Sequence, residues 1–352
     1  MNDHSILRAS RVWWRPLVLK ETLVNLRSIF ARAPEGALRQ LALTALLFCA
    51  LALSALLVVG CSEDKTASVV TASTAHDGGA GKLDAGLVPK NAPYVTAAGI
   101  GVSDLNLSAK FYEDALGLSF QYELPTPSWT EQVLQDVRGN SVVLMDFTRE
   151  RNTKHNPVKL VFYVPDVAAA YQSVLDAGGT GVSAPAMFEG ALVGLAYDPD
   201  QYTLELIENT SVPSPVLVAV GIGVSSLEES LAFYTDVMGL HYERDYSVPN
   251  YVEERELRSY LMKGLSVVLM HFADEQTVYR DVPAKIVFGT PDVVGLAKTI
   301  AAEDPAKLLS APTPFGDSGL IVGIAKDLEG YLVEILQSVS GPSAASGMDA
   351  GR

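Results

Sequence analysis

The chain has 352 residues, of which 48% are hydrophobic and 19% are charged, so it is long and apolar enough for two or three folded domains. Its formal net charge at pH 7 is −15, although residues 1–60 hold seven basic and only three acidic side chains. The remainder is strongly acidic and would repel phosphates, so a nucleic-acid partner is not expected. The only cysteines are Cys49 and Cys61, which excludes a disulfide framework in the rest of the chain.

An apolar segment lies between the basic region and the acidic remainder. Residues 41–60 carry no charged side chain, so as a helix they could cross a bilayer, with the preceding arginines on the cytoplasmic side. The segment is either a retained transmembrane anchor or a cleaved export signal. Residues 57–61 read Leu-Val-Val-Gly-Cys. They resemble the bacterial lipobox, which implies cleavage before Cys61, a lipid on that cysteine and an outer-membrane location facing the periplasm.

The predicted domains follow from changes in composition. Residues 1–60 are the basic region with the export signal, and residues 61–93 are the lipidated cysteine with a flexible tether of small polar residues. Two folded domains are predicted at 94–209 and 215–337, the ranges covered by the internal repeat and the family resemblance described below. Residues 338–352 are predicted to be a disordered tail.

Both folded domains begin with the same stretch. Residues 99–118 and 221–240 align without a gap over twenty positions, at an offset of 122. A repeat of this length indicates two equivalent folded units.

The elements of the first domain are predicted in two similar series. A strand over 94–102 precedes Ser103 and Asp104, which can cap a helix that ends at Gly117. The next three strands are predicted at 119–123, 130–137 and 141–147. The second series has a strand at 159–164, a helix at 166–177, and strands at 180–184, 191–197 and 202–207. Strand, helix and three strands, twice per domain, predict an α+β fold with helices on one face of the sheet.

Four segments carry a family resemblance: 102–105, 111–118, 198–207 and 327–336. They are similar to the opening and closing segments of the vicinal oxygen chelate superfamily, which includes glyoxalase I, extradiol dioxygenases and bleomycin-resistance proteins. The resemblance implies two βαβββ modules per domain that form a curved, cup-like sheet with helices on the outer face. It also implies a small-molecule ligand inside the cup and two domains that pack as an internal pseudo-dimer.

The resemblance also implies where family enzymes hold a divalent cation. The corresponding residues are Ala97, Met145, Lys159 and Glu205 in the first domain, and Ala219, Met270, Lys285 and Glu334 in the second. Alanine cannot ligate a cation, and a charged lysine has no lone pair. One remaining carboxylate does not make a metal site, so neither metal nor cofactor is expected. A shift of one position on the fourth strand would offer Asp146 or His271 instead, and this alternative stays open.

These residues suggest that an ion pair replaces the cation in each cup. The hypothesis pairs Lys159 with Glu205 and Lys285 with Glu334, because a buried charge without a partner is costly. The alternative is that both lysines extend to solvent and both glutamates lie at the rim.

Three functions are consistent with these expectations. The favoured one is a lipid-anchored protein that binds a small organic ligand without a metal, such as a cationic drug. The second is a metal-dependent lyase or isomerase resembling glyoxalase I, and the third is a structural or interaction module whose cups are filled by its own side chains. Aromatic residues that could line a pocket or belong to the core are Tyr112, Phe147, Tyr163, Tyr234 and Phe288.

Overall fold

The computed structural model describes residues 91–338, except for residues 150, 154–155 and 317. The basic region, the apolar segment, Cys61 and nearly all of the tether lie outside the described residues, as does the tail from residue 339. In the described part of the chain, no helix has the length and apolar character needed to cross a membrane.

The described chain is built from four βαβββ modules. Module 1 contains β1 (Tyr94–Gly101), α1 (Leu105–Leu116), β2 (Ser119–Pro125), β3 (Trp129–Gln135) and β4 (Ser141–Phe147). Module 2 contains β5 (Val158–Val164), α2 (Val167–Asp176), β6 (Thr180–Phe188), β7 (Ala191–Tyr197) and β8 (Thr203–Glu208). Module 3 contains β9 (Val216–Gly223), α3 (Leu227–Ala232), a π-helical turn (Phe233–Val237), β10 (Leu240–Val248), β11 (Val252–Ser259) and β12 (Ser266–Phe272). Module 4 contains β13 (Ala284–Gly289), α4 (Val293–Glu303), a 3-10 turn (Pro305–Lys307), β14 (Leu308–Pro314), β15 (Leu320–Lys326) and β16 (Leu332–Ser338).

The first helix of each repeat begins at the predicted cap. The Asp104 carboxylate accepts a hydrogen bond from the backbone N–H of Leu107, and the Ser226 hydroxyl accepts one from Glu229 in the second repeat. Gly117 ends α1 with a φ of 66°, a left-handed conformation that suits glycine. The repeated stretch therefore encodes the start of a helix locally in both copies.

The four modules form two eight-stranded sheets, each curled into a half-barrel. The strand order is β14-β15-β16-β13-β1-β4-β3-β2 in the first sheet and β10-β11-β12-β9-β5-β8-β7-β6 in the second. The α+β class with curved sheets is confirmed. The pairing of modules differs from the sequence prediction, because the first sheet joins modules 1 and 4 and the second joins modules 2 and 3. The joints are antiparallel pairs, β1 with β13 and β5 with β9.

The physical reason for this difference is that the modules of one repeat meet through their helical faces. Helices α1 and α2 are in contact. The Tyr112 hydroxyl donates to Asp198 at 2.7 Å, and the Tyr234 hydroxyl donates to Asp327 at 2.9 Å. Each of these bonds links the two modules of one repeat. The edges of β1 and β5 thus remain available to the modules of the other repeat.

Alternate residues of each strand face opposite sides of the sheet. One side packs with the helices in a large apolar core, which includes Tyr112, Tyr234 and Phe288. The other side is concave and carries a smaller apolar cluster. We call the concave face of the first sheet the first cup, with Ala97, Val133, Val143, Met145 and Val287 at its floor. The concave face of the second sheet is the second cup, with Val161, Ala219, Val252, Val268 and Met270 at its floor.

Candidate functional site

A lysine crosses the floor of each cup over a glycine of the neighbouring strand. Lys285 of β13 is paired with Gly99 of β1, and Lys159 of β5 is paired with Gly221 of β9. A Cβ atom on Gly99 would lie 2.9 Å from the Cβ of Lys285, and one on Gly221 would lie 3.0 Å from the Cβ of Lys159. The first glycine of each repeated stretch therefore provides the space that the lysine side chain occupies.

In the first cup, the ammonium of Lys285 lies between two carboxylates. Its Nζ is 2.6 Å from Glu131 Oε1 and 2.7 Å from Glu334 Oε2. The lysine side chain is only 2% exposed. The predicted pair of Lys285 with Glu334 is present, and Glu131 of β3 is a second partner.

The second cup repeats this arrangement with its own residues. Lys159 Nζ is 2.7 Å from Glu205 Oε2 and donates to both oxygens of Glu254, at 2.8 and 2.9 Å. The predicted pair with Glu205 is therefore present as well. The alternative in which both lysines extend to solvent is wrong, because both ammonium groups are buried in ion pairs.

Both lysines are held in their charged form. Burial alone would lower the pKa of Lys159, but the charges of Glu205 and Glu254 raise it overall. The same opposition raises the pKa of Lys285, where Glu334 and Glu131 outweigh burial. A charged ammonium offers no lone pair, so these lysines can act neither as nucleophiles nor as metal ligands.

Glu131 and Glu254 are the site residues that sequence reasoning missed. They occupy corresponding positions of the third strand in each repeat, opposite Met145 and Met270 respectively. A usable signal exists, because both glutamates lie on the same face of their strands as the apolar floor residues. A carboxylate at that position in both repeats marks an inward-facing charge.

The exchange of modules also changes which residues share a cup. Ala97 and Met145 lie in the first cup with Lys285 and Glu334, although the sequence places them in the same repeat as Lys159 and Glu205. Ala219 and Met270 correspondingly lie in the second cup. All eight predicted site residues face a cup, but they are grouped across the repeats.

The donor set does not fit a divalent cation. The cavity between the carboxylates is filled by an ammonium, and the neighbouring positions carry alanine and methionine. Asp146 is exposed, and His271 contacts the backbone oxygen of Val224 at 2.9 Å, while Met145 and Met270 occupy the floors. Across the described ranges, no three histidine, cysteine, aspartate or glutamate side chains are grouped so that they could hold a metal.

The two cups differ in the side chains around the lysine. Trp129 lies opposite Phe147 in the first cup, whereas Val252 lies opposite Phe272 in the second. On the first two of these antiparallel strands, Tyr122 of β2 lies opposite Val133 of β3 in the first cup. At the equivalent place in the second cup, Arg244 of β10 lies opposite Glu256 of β11.

Glu256 is the centre of an ion network in the second cup. Its carboxylate accepts hydrogen bonds from Arg244, Arg258 and Ser266. The first cup has Val133 at the corresponding position, so its wall is apolar and aromatic while the wall of the second cup is charged.

Comparison with known proteins supports the architecture. The family model described as the glyoxalase/bleomycin resistance protein/dioxygenase superfamily matches residues 94–206 and 216–335. A lactoylglutathione lyase of Arabidopsis thaliana is 24% identical over 204 residues, covering 54% of this chain and 72% of the relative. A lactoylglutathione lyase of Haemophilus influenzae is 30% identical over 124 residues, covering 32% of this chain and 90% of the relative.

The fold is similar to that of a solved structure. The crystal structure of glyoxalase I from Zea mays aligns with a TM-score of 0.59 at 23% identity. The alignment covers 70% of this chain and 92% of the maize chain.

Proposed function

Because this chain belongs to the glyoxalase/bleomycin resistance protein/dioxygenase superfamily, we propose that it is a membrane-anchored lipoprotein that binds a small organic ligand without a metal. The observation that carries this proposal is the buried ammonium held between two carboxylates at the base of each cup. In both cups, that cation already neutralises part of the negative charge that would attract a divalent ion. Ligand binding then depends on the side chains of the cup wall and on the net negative charge that the two carboxylates and one ammonium leave at the base.

The lysines also exclude one form of metal-free catalysis. A Schiff base requires a neutral amine, and the carboxylates keep both lysines charged by raising their pKa. Their role in the proposed binding protein is electrostatic, fixing the position and charge of the glutamates.

A metal-dependent lyase is the second candidate. The observation that favours it is the match to proteins named as lactoylglutathione lyases. Such an enzyme here would need a donor set other than the one at the cup floors, since Ala97 and Lys285 supply no ligand in the first cup. Fold similarity at this level of identity does not carry the activity.

The proposed anchor rests on the sequence of residues 57–61, which precedes the tether. In a bacterial host fed radiolabelled palmitate, the full chain should incorporate the label and fractionate with the outer membrane. A Cys61→Ser variant should do neither, whereas Cys49→Ser should behave as the unmodified chain does. Label on Cys61→Ser would contradict the proposed anchor.

Metal analysis of the purified full chain tests the binding proposal. We expect far less than one equivalent of nickel, zinc or cobalt per chain, and no increase in melting temperature when these ions are added. An Ala97→His, Lys285→His variant supplies imidazole donors beside Glu131 and Glu334 and serves as the positive control. A stoichiometric ion bound to the unmodified chain would overturn the proposal in favour of the lyase.

A further inference from the structure

We propose that the first cup alone is the ligand site and that its ligand is an organic cation with a quaternary ammonium group. This inference rests on the proposed function and deepens it by naming the class of ligand and the cup that binds it. Three features of the first cup support it: its charge, its unused carboxylate oxygens and its aromatic wall.

The base of the first cup carries a net negative charge. Glu131 and Glu334 contribute two negative charges, and Lys285 contributes one positive charge. Because these groups are 18% exposed or less, solvent screens them weakly. A cation that enters this cup therefore gains electrostatic energy, whereas an anion is repelled.

In each of these two carboxylates, one oxygen accepts no hydrogen bond from the described residues. Lys285 donates to Glu131 Oε1 and to Glu334 Oε2. The indole N–H of Trp129 also donates to Glu131 Oε1. Among the described residues, no donor reaches Glu131 Oε2 or Glu334 Oε1. The negative charge on these two oxygens has no donor beside it, and it would attract a bound quaternary ammonium electrostatically, without a hydrogen bond.

The wall of the first cup is aromatic. The ring centroids of Trp129 and Phe147 are 5.6 Å apart, with an angle of 51° between the ring planes. Tyr122 projects from the same face of the neighbouring strand, opposite Val133. Burial, followed by the charges of Glu334 and Glu131, raises the pKa of Tyr122, which agrees with a position close to both carboxylates. Aromatic faces beside a carboxylate form the kind of site that recognises quaternary ammonium groups.

At the rim of the first cup, one aromatic ring already contacts a cation of the protein itself. The guanidinium carbon of Arg151 lies 4.9 Å from the centroid of the Phe147 ring, and its Nη2 donates to the backbone oxygen of Asp281. An open depression of about 710 Å³ adjoins the cup at Phe147 and is lined in part by Asp146, Arg149 and Arg151. A ligand that is longer than its ammonium group could extend into this depression.

The second cup differs from the first in the charged side chains of its wall. Lys159 donates to both oxygens of Glu254, so each oxygen of that carboxylate already has a donor. Arg244 and Arg258 add two positive charges beside Glu256, so the charges of Lys159, Arg244 and Arg258 balance those of Glu205, Glu254 and Glu256. Tyr251 and Phe272 do form an aromatic pair here, with centroids 5.8 Å apart. The bases of the two cups are alike in charge, so the arginines beside Glu256, rather than aromatic content, separate the two cups.

Titration of the full chain with choline and with its neutral isostere 3,3-dimethylbutan-1-ol tests the inference. By calorimetry we expect one choline per chain and at least about tenfold weaker binding of the alcohol. Binding should change the fluorescence of Trp129, and Trp129→Phe should abolish this change while Trp13 and Trp14 remain. Glu131→Gln should weaken choline binding about tenfold, and its matched control Glu254→Gln should leave it within about twofold.

The variants are chosen so that misfolding does not obscure the result. Tyr122 is 54% exposed, so Tyr122→Leu should keep the fold and still weaken choline binding severalfold. Equal affinity for choline and the alcohol would overturn the assignment of a cation. Two cholines per chain, or equal losses in Glu131→Gln and Glu254→Gln, would overturn the assignment to one cup.

Failure of this inference can be told apart from failure of the proposed function. A thermal-shift screen of neutral, anionic and cationic compounds on the same full chain provides the distinction. Stabilisation by neutral or anionic compounds alone refutes the cationic ligand but keeps the binding function. No stabilisation by choline or by any other compound refutes both.

Discussion

Glu131 and Lys285 are 154 positions apart in the sequence, yet their Oε1 and Nζ atoms lie 2.6 Å apart. The glutamate belongs to the first repeat and the lysine to the second. Their contact exists because β1 and β13 pair at the centre of the first sheet. The candidate site is therefore a product of long-range strand pairing and not of either repeat alone.

Replacement of Lys285 by methionine should destabilise the protein strongly. The variant leaves Glu131 and Glu334 close together and without their cation in a buried site. Removing one partner of a buried ion pair typically costs about 3–5 kcal/mol. Urea unfolding at pH 7 measures this loss.

Lys110→Met is the matched control for Lys285→Met. Lys110 pairs with Asp114 on the surface of α1, where its side chain is 73% exposed. Its replacement should leave the urea midpoint essentially unchanged. Similar midpoints for the two variants would show that the buried ammonium contributes no special stability.

Gly99→Ala should also destabilise the protein, although less severely. The new Cβ would lie 2.9 Å from the Cβ of Lys285 and 3.3 Å from the terminal carbon of Met145. Overpacking of this kind typically costs about 1–3 kcal/mol. The midpoint of thermal unfolding should be lower for Gly99→Ala than for the wild type. Ser119→Ala, on the exposed edge strand, should leave the midpoint unchanged. An unchanged midpoint would mean that the lysine side chain can move aside freely.

Asp198→Asn should remove part of the dependence of stability on pH. Burial raises the pKa of Asp198 to about 7, against the lowering effect of hydrogen bonds from Tyr112 and from the backbone of Tyr202 and Asp200. The folded state then binds this proton more tightly than the unfolded state, whose aspartate pKa is about 3.9. The resulting stability is fully present below about pH 4 and is lost as the pH rises through about 7.

Urea unfolding between pH 4 and pH 8 measures this effect. The free energy of unfolding of the wild type minus that of Asp198→Asn should decrease as the pH rises. The same difference for Asp176→Asn, at an exposed position on α2, should stay flat. A flat difference for Asp198→Asn would contradict a protonated carboxyl in the folded protein.

Glu256→Gln should change the pH dependence with the opposite sign. Burial alone would raise the pKa of Glu256, but hydrogen bonds from Ser266 and Arg244 and the charge of Arg258 lower it overall. Its contribution to stability is therefore present above the unfolded pKa of about 4.3 and is lost as the pH falls below it. Acid unfolding of the wild type and the variant should converge at low pH. A constant gap between them down to pH 2 would argue against the ion network.

Much of the fold could be predicted because it is encoded locally. The caps at Asp104 and Ser226 and the alternation of apolar residues determine where each module begins and which side chains face inward. The Lys–Glu pairs followed from the family resemblance, which implied that these positions face one cup, and Lys285 and Glu334 do lie on neighbouring parallel strands of one module.

The pairing of modules could not be predicted in the same way. An alternating strand encodes its two faces but does not specify which edge it will meet, and β1 and β13 are far apart in sequence. Glu131 was missed for a related reason. The pattern of β3 shows that Glu131 faces inward, but it does not identify its partner, because the ammonium comes from β13 of the other repeat.

The shared sheets determine what would happen to a chain divided between the repeats. Each half would keep two four-stranded modules, with β1 and β5 or β9 and β13 left as bare edges. Such edges pair readily with another chain. A gene encoding one repeat alone would accordingly have to produce a homodimer, and two co-expressed halves should reassemble without a covalent link. The covalent fusion allows the two cups to differ from each other, which identical subunits related by twofold symmetry could not do.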